Sequence, residues 1–565
     1  MRFIKAGRRT TWAAGIILMV TVGTATSGWC ADSSITNNTT DPLLDLFIKK
    51  GFVTQQEAEQ VEAEAQSLRT NEAQMPSVPP SKWKISQDIK QVELFGDIRL
   101  RYEDRSEEDP AGNSIDLQRF RYAVRVGLRG EVFDDFYYGV RLDTGASPRS
   151  PFVTLGTSSG FGANQPNNGT YQGPFGKSNS GVNIGQVYLG WRPWDWVDLT
   201  VGKMPNPLYT TPMVWSPNIS PEGFAERFKY TVGTVDFFAT FGQFLYADFN
   251  PDSASAGLGI GYLPGGSSGP GGGQNADNIF MFAWQGGFNY RVTTNVSAKI
   301  AGTVYTYTGL QQSSGSGALS PYFGNTYVGE GSYYYYGGPN PVNPGYLPGA
   351  SGYQPGTVFN QGAYQSADYP FNQVGLNHLL VVEVPLEFNF KISKLEAQVF
   401  GDAAYNLEGR QRAQDAANAY SQILLQNGPP NGNAAPRSFP AQTDDVKAYQ
   451  LGFDLASEGG HGLVYGTTSR RHAWEVRSYW QHVEQYALDP NLPDTDFFEG
   501  AQNLQGVYVA LAYAVTGNSI VTFRYGHASR INSLLGTGGN DPGDISQINP
   551  INDFDIYQFD LTFRF

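Results

Sequence analysis

Cysteine is almost absent from this 565-residue chain, where Cys30 stands alone. One thiol builds neither a disulfide framework nor a thiolate metal site. Histidine is nearly as scarce. His378, His461, His472, His482 and His527 are scattered, and no HExxH spacing links any two of them, which excludes the usual zinc-hydrolase helix. Charge is thin: Asp, Glu, Lys and Arg make up 16% of residues, against about 25% in ordinary soluble domains. After the first thirty residues no stretch approaches the ~18 apolar residues of a spanning helix. The formal charge of −14 argues against a nucleic-acid partner, whose phosphates attract basic surfaces. What abounds is glycine, at 67 residues, and aromatics, at 14%. Abundant glycine without a collagen-like repeat, with many aromatics and few charges, predicts an all-β chain rich in turns.

The N-terminus reads as a targeting segment. "MRFIKAGRR" carries Arg2, Lys5, Arg8 and Arg9 without an acid, and an apolar core and small residues follow. That order is the plan of a cleaved secretory signal over residues 1–31. Residues 32–90 are expected to form a small periplasmic helical segment. Thr54 and Glu57 make a capping box. Ala58, Val61, Ala65 and Leu68 recur at coiled-coil spacing, and a Pro-rich linker follows. No cofactor is implied anywhere.

From Val92 onward the hydrophobic period is two. About sixteen strands are predicted, from "VELFGDIRLRY" to "DIYQFDLTFRF". Their connections alternate short and long. "VFDDF", "PWDW", "TVGTV", "RVTTN", "KISK" and "VTGNS" are short. Residues 144–181, 251–277, 309–377 and 409–444 are long and mostly rich in Gly and Asn. "EGGHGLVYGTTSRRH", at residues 458–472, breaks the alternation: it is long where a short turn is due. An outer-membrane barrel puts its short turns in the periplasm and its long loops outside the cell. A soluble sandwich has no reason to do so.

"QRFRYAVRVGLRGEV" carries the same message within one strand. Arg119, Arg121, Arg125 and Arg129 share one parity, while Phe120, Tyr122, Val124, Val126 and Leu128 share the other. Backbone polar groups in lipid must be paired, so a sheet can span only as a closed barrel. Its apolar parity then faces lipid and its polar parity faces the lumen. On that reading Asp97, Arg99, Arg101, Arg119, Arg121, Arg125, Arg129 and Arg141 line one inner wall. The chain stops on "YQFDLTFRF", with Tyr557, Phe559, Leu561, Phe563 and Phe565 on one face. That face suits a barrel-closing strand whose aromatic end is read by the barrel-assembly machinery.

The strands at "RFRYAVRVGLRGEVFDDFYYGVRLDTG", "QVYLGWRPWDWVDLTVGKMPNP" and "VWSPNISPEG" resemble the bacterial outer-membrane "putative porin" family, within the superfamily of sixteen-stranded porins. The resemblance covers most of the chain. It implies a transmembrane antiparallel β-barrel over residues 91–565, a passive channel for small hydrophilic solutes, and a homotrimer in outer-membrane lipid and lipopolysaccharide. It also implies a third extracellular loop folded into the lumen. By strand order that loop is residues 204–223, holding Pro205, Asn206, Pro207, Trp215 and Glu222. Its single acid departs from the usual eyelet of acids facing arginines.

The arginine wall is expected to attract anions, unless Asp97, Glu131 and Asp143 neutralise it. Asp489, Asp494, Asp496 and Glu499 read as a solvated acidic loop, with divalent-ion binding the sharper alternative. The aromatic run at residues 333–346 reads as loop packing rather than a sugar platform. His482 reads as a membrane-interface residue and His472 as part of a solvated basic turn. The N-terminal helices are expected to touch the cell wall or to trimerise. A plugged barrel serving as an adhesin and a barrel lipid hydrolase are the competing functions.

Overall fold

The structure is a computed structural model. It describes residues 89–108, 110, 112, 114–132, 135–145, 147–155, 182–247, 279–308, 378–417, 440–467, 470–537 and 551–565. The leader, the coiled-coil segment, the Pro-rich linker and the aromatic run at 333–346 lie outside the described residues.

The first half of the barrel is β1 (Ile89–Glu108), β2 (Ser114–Val132), β3 (Phe136–Asp143), β4 (Val153–Thr154), β5 (Asn183–Trp194), β6 (Val197–Lys203), β7 (Glu222–Val232), β8 (Val235–Ala247) and β9 (Ile279–Thr293). The second half is β10 (Val296–Thr308), β11 (Val381–Ile392), β12 (Leu395–Asn406), β13 (Lys447–Ser457), β14 (Trp474–Val483), β15 (Leu504–Ala514), β16 (Ser519–Arg530) and β17 (Asp553–Arg564). The strands pair antiparallel in chain order, with β3 pairing to β5 past the short β4, and β17 pairs with β1. The sheet therefore has no edge. Closure is made by a ladder from Asp97 opposite Arg564 to Glu108 opposite Asp553, with Phe565 and Gly96 exchanging backbone hydrogen bonds of 2.9 and 3.0 Å.

β3 and β4 share one place in the wall. β2 pairs with β3 at Arg125–Asp143, then with β4 at Arg121–Thr154 and Tyr122–Val153. The chain between them turns into the lumen, so seventeen segments make sixteen staves. All sixteen predicted strands are present. The irregular connection at residues 458–473 is no error of strand count. It is a turn that folds back into the barrel, with Leu463 and Val464 buried.

The parity rule holds around the closure. Leu94, Ile98, Leu100, Phe120, Val126, Leu128, Val140 and Leu142 are exposed on the outer face, as are Tyr557, Phe559, Leu561, Phe563 and Phe565. Gln558, Asp560 and Thr562 alternate with them and are buried inside. The exposed residues cover the side that lipid solvates. Aromatic pairs near the short-turn end, Phe136 on Trp191 and Trp194 on Trp196, fit the girdle found where hydrocarbon meets headgroups.

Glycines serve the wall at close approaches. A Cβ at Gly190 would lie 1.9 Å from the Tyr137 ring, and one at Gly139 would lie 2.4 Å from Tyr188. The two tyrosines lie across the glycines of the facing strand.

The interior differs from the uniformly polar expectation. It is polar along β1–β3, but an apolar cluster fills the lumen beside β13–β17. Trp215, Leu463, Phe497 and Phe498 pack there with Tyr479, Tyr508, Ala510, Ala512 and Ile556. The third and seventh loops and the turn supply 14 of the 36 buried residues of this core.

Arginine at position 559 would put a charge on the lipid face near mid-strand, where Phe559 faces Tyr102 and Phe523. Phe559→Arg is expected to lower folding stability in bilayers by about 2–4 kcal/mol, read as an earlier urea midpoint and loss of heat-modifiable barrel.

Candidate functional site: the arginine-lined lumen

The wall arginines stand on the inner parity of β1, β2 and β3, but the structure divides them into three groups. At the short-turn mouth Arg129 is half exposed and forks onto Glu93, both bonds 2.7 Å. Midway, Asp97 serves two guanidiniums at once, Arg99 at 2.7 Å and Arg125 at 2.8 Å. Arg141 forks onto Asp143 at 2.7 and 2.8 Å. Higher up, buried Glu103 accepts from Arg119 at 2.6 Å and Arg105 at 2.9 Å, with Arg101 and Arg121 each 3.8 Å away. Glu131 does not join the wall; it lies 3.8 Å from Arg192.

Arg101 is the hub. Its Nε and Nη2 donate to Asp560 at 2.7 and 2.9 Å, and its Nη1 donates to Asp496 at 2.6 Å. Its guanidinium also lies 4.0 Å from the Phe152 ring centre. Arg524 binds the same Asp560. Charge-assisted forks of this kind are the strong hydrogen bonds of proteins. A buried guanidinium with fewer acceptors would carry a large desolvation penalty.

Asp496 belongs to the seventh loop at the long-loop end, residues 484–503. That loop was expected to be solvated, and instead it lies inside the lumen. Asp489 accepts from Tyr246 at 2.9 Å, Tyr307 at 2.6 Å and Asn491 at 2.7 Å. Asp494 accepts from Ser216 at 2.9 Å. Arg149, from the excursion between β3 and β4, donates to the carbonyls of Pro490 and Pro493. Three aspartates of a supposedly free acidic loop are therefore docking groups. The side chain of Glu499 lies outside the described residues.

The third loop also enters the lumen. Trp215 is buried against Phe244 and Tyr305. Thr210 donates to Glu383 and Thr211 to Asp402 on the opposite wall. The amide of Ser216 donates to the Leu492 carbonyl at 2.6 Å, locking the third and seventh loops together. Asn206 turns the chain by accepting from the Leu208 amide at 3.0 Å, while Pro205 is exposed and Pro207 half-buried. Glu222 is the misplaced member. It begins β7 and pairs with Lys203 at 2.6 Å on the exposed rim. The acids that face the arginine wall come from the seventh loop, which supplies what the third loop lacks.

Between these loops, the in-folded turn and the wall lies a cavity of about 250 Å³. Five arginines, Arg99, Arg125, Arg141, Arg524 and Arg564, line it against Asp97, Asp494 and Asp496. Among the lining residues cations outnumber acids, while Arg141 and Arg524 are held from behind by Asp143 and Asp560. Burial, with Asp496 beside it, pushes the Asp494 carboxyl up to about 7, so near neutrality it is only partly ionised. Arg524 and Arg564 were not among the wall residues read from sequence. Their signal was present, since both have lumen parity in their strands.

The family model described as "Putative porin" matches residues 106–325 and 371–565. The chain belongs to this porin family. Its closed barrel and its family place it in the outer membrane. Among solved structures, a substituted porin of Rh. blastica matches with 8% identity and a TM-score of 0.34, covering 84% of this chain and 100% of that one. OmpT, an outer membrane protein of Vibrio cholerae, matches with 8% identity and a TM-score of 0.33, covering 85% of this chain and 100% of that one. No curated protein matches. The assignment rests on the family match.

Two histidines of the porin are accounted for by packing. His482 stacks on Tyr449, 4.6 Å between ring centres, on the outer parity beside Trp480. His472 is exposed and shares a 2.6 Å hydrogen bond with Tyr513. Two G-x-S-x-G spellings, at residues 156–160 and 265–269, fall in long loops outside the described residues.

Asp496→Ala removes one acceptor set of Arg101. A hydrogen bond to a charged partner contributes about 1.5–3 kcal/mol. The variant is therefore expected to populate undocked seventh loop at least tenfold more, seen as faster proteolysis within residues 484–503 and as larger single-channel steps.

Proposed function

We propose that the barrel is a passive outer-membrane channel for small hydrophilic solutes that favours anions. The observation that carries this reading is the lumen cavity, where five arginines face three aspartates and one carboxylate, Asp97, is shared by two guanidiniums. A ring of excess positive charge between low-dielectric walls concentrates anions and repels cations. Nothing in this arrangement performs bond chemistry, and passage is diffusion past fixed charge. A homotrimer follows from the family resemblance alone and is carried as part of the proposal, together with export through a cleaved leader.

One observation favours a second reading. The third and seventh loops and the turn at 458–473 pack an apolar core inside the lumen. A barrel so filled would serve as a surface adhesin through its long loops.

Planar-bilayer recording under a salt gradient separates the two. The channel reading expects discrete steps with an anion-selective reversal potential, reduced when Arg99 and Arg125 are both changed to Gln. Silence from well-folded barrel, in the wild type and in Asp496→Ala alike, would favour the plug.

The selectivity should also depend on pH. The Asp494 carboxyl is raised, so it is neutral well below 7 and ionised above it. The docking that it favours when protonated is fully present below about 4 and lost as pH rises through about 7. Each ionised Asp494 also adds negative charge to the cavity. Anion preference is therefore expected to fall between pH 5 and 8.5, and Asp494→Asn should flatten that dependence.

A further inference from the structure

The turn at residues 458–473 lies at the end of the barrel where every other described connection is short, and it carries a cluster that the channel reading does not use. Asp454 on β13 and Glu475 on β14 are buried, inward-facing neighbours with fully covered side chains. His461, from the turn itself, places Nδ1 3.4 Å from Asp454 Oδ1 and 3.9 Å from Glu475 Oε1. One ligand atom from each residue lies within 4.8 Å of the other two.

The surroundings hold these groups as a second shell holds metal ligands. Arg477 donates to Asp454 Oδ2 at 3.2 Å, which fixes that carboxylate and leaves Oδ1 buried without a hydrogen bond. The amides of Gly462 and Val464 donate to Glu475 at 2.9 and 2.6 Å, which fixes the other. The two buried carboxylates have one guanidinium between them, so a lone pair on each remains for a further cation. The His461 side chain is 42% exposed, so the side of the cluster opposite the wall is open to water and to an incoming ion.

We propose that Asp454, His461 and Glu475 form a binding site for a zinc-class divalent transition-metal ion. One imidazole nitrogen with two carboxylate oxygens suits such an ion, whereas Ca²⁺ and Mg²⁺ prefer oxygen alone. Tetrahedral zinc with bonds of ~2.0–2.1 Å sets its ligand atoms roughly 3.3 Å apart, so small side-chain rotations close the set around the ion. Water completes the coordination from the open side. The bound ion would tie β13 and β14 to the turn that carries Val464 and Tyr465 to the cavity wall.

Calorimetric titration of the full-length, metal-stripped barrel in detergent with ZnCl₂ tests this without reference to conductance, so its outcome is independent of the channel reading. One saturable site is expected, undisturbed by millimolar Mg²⁺. His461→Ala and Asp454→Asn should each weaken it at least tenfold. His378→Ala removes an imidazole that sits beside Asp415 and Glu408 instead and should leave it unchanged. His461 is exposed, so its variant is expected to fold, and retained heat-modifiable mobility checks this. No saturable zinc binding to the wild type, or a site that survives His461→Ala in folded barrel, would overturn the assignment.

Discussion

In hydrocarbon no backbone N–H or C=O can be left to water, and the whole architecture follows from meeting that constraint with a sheet. The ladder between β17 and β1 removes the last edge. Once the sheet is closed, each strand has one parity in lipid and one in the lumen. The charged residues then have a single place to go. Eight arginines from three adjacent strands are thereby brought onto one inner surface, at a density that a soluble surface would disperse into water.

That concentration has to be compensated where water is scarce. The compensation is uneven, and the unevenness shapes the lumen. Around Glu103 and Arg101 the arginines are buried and held by several acceptors, so they act as docking points. Around Asp97 one carboxylate is divided between two guanidiniums beside an open cavity. The same residue type thus fixes loops at one height and lines a water-accessible space at another. The deciding variables are how many acids the loops bring and how much water remains.

The loops complete what the wall begins. The third and seventh loops and the turn at 458–473 meet inside the barrel, joined by the Ser216–Leu492 backbone bond and by Arg524 donating to the Val464 carbonyl. Their apolar faces cover one another and the small residues Ala510, Ala512 and Ala528 on the inner wall. A polar cavity beside a packed apolar cluster results.

The sequence by itself determined the strands, their alternation and the lipid-facing set. Period two is a local property, visible in "QRFRYAVRVGLRGEV" and "YQFDLTFRF" without any knowledge of neighbours. Arginine on the inner parity was likewise legible, and Arg524 and Arg564 follow the same rule. Partner choice was not. Asp496 lies 395 residues from Arg101, and Thr211 lies 191 from Asp402. Glu222, next to the constriction loop in sequence, points to the rim because it already belongs to β7. The acidic run Asp489, Asp494 and Asp496 looks solvated in one dimension, since a loop's composition does not say which side of the wall it folds to. Only the closed barrel decides that, by presenting Arg101 and the tyrosine hydroxyls of Tyr246 and Tyr307 on its inner face. Those groups make burial of the loop's carboxylates favourable.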